Sequence, residues 1–339
     1  MGNVLDVFNG DAFSVTSLTD SINKVPFVPG LLGRLGIFES RSVATTQVLI
    51  EEKDGIIYLV ANTPRGGAGQ QNKTEKRKAR SLVIPHLPAE DRILADEIQN
   101  VRAFGSDNAL VGVQQVVDQR LTTMSRSLDA TIEHLRIGAI KGIILDADGS
   151  TPIYNLFTEF GVSQETEQDF DLDNANPASG AVRKMCAKVV RLIATNMGGT
   201  PFMGVHCLCG DAFFDDLVAH PECRETYLGQ QEAAELRGGY AYGKFTYGGI
   251  VFENYRGKVG TVDYIDTDKA HFFPTGAPGL FLNYFGPADY VETANTLGLP
   301  KYAKQAPDTR FNKFVDLEAQ SNPLPICTRP KVLIKGKRT

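Results

Sequence analysis

No stretch of this chain approaches the roughly 18 consecutive apolar residues that a bilayer-spanning helix needs, so nothing in it reads as a transmembrane segment. Tryptophan is absent, which decides nothing alone. Cysteine is scarce: five in 339 residues, an odd count that fits a reducing compartment better than a disulfide framework. An excess of positive charge is missing as well. Lys and Arg number 35 against 40 Asp and Glu, a net charge of −5, whereas a dedicated nucleic-acid binder is usually broadly basic. The first twenty residues show neither a basic start nor a continuous apolar core, so no secretory signal is expected. Met-Gly opens the chain, but Asp6 stands where an N-myristoylation signal carries Ser or Thr. Also missing are a Gly-x-Ser-x-Gly elbow, an HExxH motif, paired carboxylates in an apolar setting, internal repeats and low-complexity tracts.

What is present begins with "NTPRGGAGQQNKTEKRKAR" (Asn62 to Arg80). Arg65, Lys73, Lys76, Arg77, Lys78 and Arg80 oppose a single Glu75, a net charge of +5, so the rest of the chain sums to −10. Strand-like sequence flanks it: "TTQVLIEEKDGIIYLVAN" (45–62), with an Asp-Gly turn signal, and "RSLVIPHLP" (80–88). The spacing predicts a chain that runs out, turns through a glycine-rich tip and returns. About 15 extended residues each way reach roughly 50 Å, against a radius of gyration of about 20 Å for a globule of this length. Such an arm has little of its own molecule to pack against. Three readings of its charge stand side by side: a solvated loop, a salt-dependent phosphate contact, or a contact with an acidic protein surface. The arm lacks the aromatics that single-strand recognition uses.

Residues 1–40 mix apolar and polar residues at no clear period. Pro26, Pro29, Gly30, Gly33 and Gly36 interrupt regular structure, so this segment reads as an irregular arm lying on its own molecule or on a neighbour. From "AEDRILADEIQNVRAF" the pattern turns helical and pauses at "GSDN" (105–108), with "FGSD" (104–107) the expected break in the helix. It resumes as a stripe of Leu110, Val113, Val117, Leu121, Met124, Leu128, Ile132 and Leu135. This predicts a long helix over about 108–136, capped at Asp107 or Asn108 and stopped at Gly138. "IKGIILDADGSTPIYNLFTEFG" reads as a hairpin about Asp148-Gly149, and "VSQETEQDFDLDNANPAS" as a domain boundary. Beyond it, "GAVRKMCAKVVRLIATNM" predicts an amphipathic helix, "PFMGVHCLC" a buried strand, "DAFFDDLVAHPE" a helix and "GKFTYGGIVFENYRG" further strands. The final "RPKVLIKG" is expected to return to the first domain.

The sharpest enzyme-like signal is "HCLCGDAFFDDLVAHPEC", with His206, Cys207, Cys209, His220 and Cys223. These are zinc-ligand types, but their spacing matches no specific finger. Cys207 and Cys209 share one face of a strand with His206 on the other, so the competing reading is small apolar core cysteines and a helix-closing histidine. "DADGS" mimics the start of a calcium loop, yet Phe157 stands where the bidentate Glu would be, which leaves a hairpin turn. "RGGAGQ" lacks the Gly-Lys-Ser/Thr ending of a phosphate loop.

Several longer stretches, in order along nearly the whole chain, resemble tailed-bacteriophage major capsid proteins of the lambda type. They are "EEKDGIIYLVANTPRGGAG", "KRKARSLVIPHLPAEDRILADEIQ", "IEHLRIGAIKGIILDADGS", "NLFTEFG", "FPTGAPGLF", "GPADYVETANTLGLP" and "SNPLPICTRPKVLIKG". The resemblance implies an α+β chain with the Hong Kong 97 capsid fold. Its parts would be an N-terminal arm (1–40), an extended loop (41–88), a peripheral domain with the spine helix (89–164), an axial domain (165–300) and a C-terminal return to the peripheral domain (301–339). It further implies a virion protein that assembles with itself into pentamers and hexamers of an icosahedral shell around double-stranded DNA. Assembly in the bacterial cytoplasm and maturation by expansion are implied as well. No enzyme activity, catalytic residue, cofactor or membrane partner follows. A separate scaffold protein, a portal and in some cases a decoration protein are the expected partners. The subunit-contact candidates are Arg65, Lys73, Lys76, Arg77, Lys78 and Arg80.

Overall fold

The structure is a computed structural model that describes residues 15–24, 30–52, 78–98, 109–174, 176–224, 226–227, 243–259, 262–311 and 313–339. The expected turn at Lys53-Asp54-Gly55, the helix cap at Asp107 or Asn108 and the break at "FGSD" lie outside these residues. The elements begin with α1 (Val15–Lys24), α2 (Leu31–Leu35), β1 (Glu39–Ser42), β2 (Gln47–Glu52) and β3 (Lys78–Val83). Next come β4 (Leu87–Leu94), α3 (Ala95–Ile98), the long α4 (Ala109–Lys141), β5 (Ile143–Leu145), β6 (Pro152–Asn155) and α5 (Leu156–Phe160). The middle adds β7 (Gln168–Asp169), α6 (Ala181–Met197), β8 (Gly204–Cys209) and α7 (Asp211–Ala219). Strands then dominate: β9 (Lys244–Tyr247), β10 (Ile250–Asn254), β11 (Lys258–Val259), β12 (Val262–Asp263), β13 (Lys269–Thr275) and β14 (Phe281–Phe285). The last are β15 (Tyr302–Pro307), β16 (Phe314–Ser321), β17 (Pro323–Cys327) and β18 (Ile334–Lys337). The chain divides into two units, one drawn from Met1–Val48, Val83–Arg136 and Leu282–Pro325, the other from Leu49–Leu82, Ile137–Phe281 and Ile326–Thr339.

In the first unit the α4 stripe supplies Val117, Leu121, Met124 and Leu128 to a core shared with Leu18 and Ile22 of α1. The inner face of the three-stranded sheet β15-β16-β4 closes that core with Ala303, Val315, Leu317, Ala319 and Ile93. Strand β4 corrects the sequence reading, which made 89–94 helical. The stretch pairs antiparallel with β16, from Leu94 opposite Phe314 to Leu87 opposite Ser321. Alternation decides its form: Ala89, Asp91 and Ile93 face inward while Glu90, Arg92 and Leu94 stay exposed, so period two overrides a helix-compatible spacing.

The N-terminal segment also differs from an irregular arm. Val15, Leu18 and Ile22 recur at helical spacing, and Leu18 and Ile22 are fully buried in their own chain. The Thr19 hydroxyl accepts from the Ala303 amide at 3.1 Å, and Asn23 donates to the Lys301 carbonyl at 2.9 Å. Farther on, the Leu32 amide of α2 donates to the buried Glu133 carboxylate of α4 at 2.7 Å. A Cβ at position 30 would lie 2.3 Å from the Glu133 carboxyl carbon and would push aside the carboxylate that holds Leu32. A second small sheet of this unit sets β1 parallel to β14, with β17 on the other side.

The second unit is built on a six-stranded sheet of order β7-β18-β13-β8-β10-β9. β8 runs antiparallel to β13 and parallel to β10, and all three are heavily buried. Gly180 at the N-terminus of α6 offers no side-chain cap; Glu222 accepts instead from the Val182 and Arg183 amides at 3.2 and 3.1 Å. At the other end Gly198 is left-handed and Arg329 donates to the Met197 carbonyl at 2.6 Å. α4 does not stop at Gly138 but runs to Lys141 and ends at Gly142, whose φ is +81°. Gly138 is needed for contact rather than for stopping: a Cβ there would sit 2.8 Å from Ile144 Cα. The terminal "RPKVLIKG" carries the last strand. β18 pairs with β13 and β7 in the second unit's sheet, with Ile334 and Gly336 on the sheet's buried side.

Candidate subunit-contact surfaces

The basic stretch enters and leaves through a ladder of β2 and β3, which pair with each other. Next to it the Ile84 amide donates to the Thr46 carbonyl at 2.9 Å. Alternation along these strands buries Val48, Ile50 and Leu82 while Leu49 and Val83 stay exposed. Of the six candidate cations, Arg65, Lys73, Lys76 and Arg77 lie outside the described residues. Lys78 opens β3. Arg80 is half-buried, with its guanidinium 5.4 Å from the centre of the Phe160 ring of the same chain. Phe160 is 80 residues away in sequence, and no local pattern pointed to it.

The histidine and cysteine candidates do not converge. His206 bonds through Nε2 to Glu253 at 3.0 Å, across the β8–β10 pair. Cys207 and Cys209 are fully buried among the sheet's apolar side chains. Burial holds the Cys207 thiol well above its ordinary pKa, and burial pushes the Cys223 thiol up to about 12. His220 closes α7 through its amide to the Asp216 carbonyl at 2.9 Å, and its Nδ1 accepts from the Glu222 amide. Among the described residues no three His, Cys, Asp or Glu side chains come together to hold a metal ion. Protonated thiols packed in a core are small apolar groups rather than ligands or nucleophiles. In "DADGS", Asp148 accepts from the amides of Ser150 and Thr151 at 2.9 and 2.8 Å and from both their hydroxyls. Those bonds hold its carboxyl well below the usual range and complete a hairpin turn.

The outer face of the β15-β16-β4 sheet was not singled out in the sequence. Strand register places Lys304, Glu318 and Glu90 in one row across the three strands, and Ala306, Asp316 and Arg92 in the next. Arg92 holds Asp316 with two bonds of 2.6 and 3.1 Å and stacks on Phe314, its guanidinium 3.8 Å from the ring centre. Lys304 turns away from Glu318 to both oxygens of Glu292, at 2.9 and 3.0 Å. The face forms a groove of about 700 Å³, bounded on one side by Asp289 and Tyr290. Nearby in sequence, Val291, Leu297 and Leu299 are 93%, 66% and 43% exposed in a loop held by hydrogen bonds of Thr293 and Thr296.

The sequence model of the phage major capsid protein E family matches residues 14–338. The chain belongs to that family. This capsid chain is 30% identical to the major capsid protein of Salmonella phage Felix O1, over 95% of each chain. To the major capsid protein of Pseudomonas phage KPP10 it is 28% identical, over 96% of this chain and 97% of that one. In three dimensions it is similar to a prophage protein of E. coli CFT073 described as a capsid protein, with a TM-score of 0.56 and 15% identity. That likeness covers 99% of this chain and 97% of the other. The capsid of cyanophage Pam1 gives a TM-score of 0.50 at 12% identity, over 89% and 88%. The fold of the capsid chain is the α+β Hong Kong 97 fold expected from the sequence. It is a structural virion protein that associates with itself and not an enzyme.

Proposed function

We propose that the chain forms pentamers and hexamers of an icosahedral shell that encloses double-stranded phage DNA without reading its sequence. The observation that carries this reading is the family match from residue 14 to residue 338, supported by the Hong Kong 97 fold. Assembly takes place in the bacterial cytoplasm around a separate scaffold protein, with a portal at one vertex and room for a decoration protein. In this reading residues 1–40 are the N-terminal arm, 41–88 the extended loop, 89–164 the peripheral domain with the spine helix and 165–300 the axial domain about the five- and six-fold axes. Residues 301–339 then make the C-terminal return to the peripheral domain. Subunits assemble loosely and switch to an expanded shell as rigid bodies, bending at the base of the loop and at "FGSD", where Gly105 is permissive.

The basic arm acts as a clasp between subunits, with Arg65, Lys73, Lys76, Arg77, Lys78 and Arg80 over an adjacent acidic surface. Each exposed pair contributes little, but repetition around a closed shell adds the contacts up. Electron microscopy of the chain expressed alone and with its scaffold tests the shell reading. Closed shells or capsomer rings are the expected result, and a monodisperse monomer in both preparations would sink it.

A further inference from the structure

We infer that the exposed face of α6 binds the phosphate backbone of double-stranded DNA along the inner surface of the shell. The inference rests on the shell reading above and names the surface of the second unit that meets the enclosed nucleic acid. α6 holds Arg183, Lys184, Lys188 and Arg191, all exposed, and none of the chain's 40 Asp and Glu residues falls within its 17 residues. The chain as a whole carries −5, so this is a local reversal of its charge. Helical geometry sets the four cations within about 140° of one another, opposite the buried stripe of Val182, Cys186, Val189, Ile193 and Met197. That stripe is turned into the second unit's core, where a Cβ on Gly248 would lie 2.5 Å from Cys186 Cβ. The basic face is the one that α6 leaves outward.

The surrounding side chains do not quench this charge. Among the described residues none of the four cations is held in an ion pair. The carboxylates at the two ends of the helix are committed elsewhere. Glu222 accepts from the Val182 and Arg183 amides and from the Tyr247 hydroxyl, the last at 2.7 Å. Glu165 accepts from Asn196 at 3.1 Å and lies 3.8 Å from Lys331. Arg329 closes the C-terminal end, donating to the Met197 carbonyl and to the Thr200 hydroxyl. With both ends held by other elements, the four charges sit on a fixed rod rather than on a loop.

The chemistry of the face selects a polyanion over a protein surface. Between the cations lie Ala187, Ala194 and Thr195, and the helix contains no aromatic residue. A stable protein interface is built around an apolar centre with aromatic anchors, which this face lacks. The same lack disfavours single strands, whose bases stack on aromatic rings. Small side chains instead let a duplex backbone approach closely. From Arg183 to Arg191 the stripe runs about 12 Å, alongside roughly three or four phosphates of one strand at about 3.4 Å each. Contacts of this kind hold the backbone and carry no sequence information.

The test measures retention of a mixed-sequence DNA duplex by the full-length chain over a series of salt concentrations. R183Q/K184Q/K188Q/R191Q should weaken binding roughly tenfold or more at low salt. It should also reduce the slope of log affinity against log salt by about 3 to 4, as expected for four lost phosphate contacts. R183K/R191K keeps the charge and should keep the slope, which separates charge from damage to the fold. The same loss should recur in a K73Q/K76Q/R77Q background. A loss that vanishes there would assign the DNA contact to the basic arm and overturn the inference, as would an unchanged slope in the fourfold variant. Lysine acetylation then reads the assembled state. Lys184 and Lys188 should be modified several-fold less in DNA-filled particles than in empty shells. Equal modification in the two would overturn the inference, and full protection already present in empty shells would assign the face to a protein neighbour instead. Parent chains that form no shells would remove the assembly reading itself, whereas parent shells with a fourfold variant that binds duplex as the parent does would remove this inference alone.

Discussion

Single residues in this chain are most informative where charge is buried. Lys301 Nζ lies 2.7 Å from Asp129 Oδ1 and donates to Ser125 Oγ at 2.6 Å, both partners on α4 and both charges almost fully buried. Burial raises the Asp129 pKa, and the Lys301 ammonium offsets part of that. Removing one partner strands the other, which costs about 3–5 kcal/mol. Lys301→Ala should therefore lower the denaturation midpoint strongly, while the Lys301→Met, Asp129→Leu pair should recover much of the loss. Equal loss in both variants would refute a charge-based account. His271 makes a different case. It is buried in β13, and burial, with Lys141, Lys335 and Lys269 adding to it, lowers its pKa to about 3. The folded chain keeps the ring neutral while the unfolded chain takes up a proton below about pH 6.5. Its contribution is thus fully present above pH 6.5 and is lost as pH falls towards 3, at about 1.4 kcal/mol per pH unit. Urea melts at pH 6.5 and 4.5 should show a shallower pH dependence in His271→Leu than in the parent chain.

At the scale of elements, α1 and β4 show where pattern and context part company. α1 has only ten residues, too few to hold a helix alone in water. It forms because Leu18 and Ile22 bury against α4 and the sheet, each contributing about 1.5–3 kcal/mol. Leu18→Ala should cost about 2–5 kcal/mol by leaving a cavity under the helix. Hydrogen exchange should then show loss of protection across 15–24 before the rest of the first unit; uniform loss would mean that α1 is not an independent element. The long α4 was legible because its apolar stripe repeats over many turns, and the hairpin at Asp148-Gly149 because its turn chemistry is local. β4 was not, since "AEDRILADEI" satisfies both periods and only pairing with β16, more than 200 residues later, chooses between them.

For the whole molecule, the separation of charge between one segment and the rest is the property that bears on assembly. A contact between exposed charges weakens as the Debye length falls from about 10 Å at 0.1 M salt to about 3 Å at 1 M. Shell yield of the parent chain should fall over that range. The variant with all six arm cations reversed should assemble poorly at low salt and lose most of its salt dependence, as followed by light scattering. Unchanged assembly of that variant at both salts would rule out the clasp. What the sequence determined by itself were the local and periodic features: the spine helix, the turns, the basic arm, the buried strand carrying Cys207 and Cys209, and an ordered set of stretches that resemble a phage capsid protein. What only the tertiary structure decided were the long-range pairings: the Glu133 contact to α2, the Glu222 cap on α6, the place of β18, and the Glu90–Glu318 opposition in the groove. Each joins residues far apart in the chain. Neither periodicity nor composition encodes the register in which they meet, because that register is selected by burial and hydrogen bonding in the folded state.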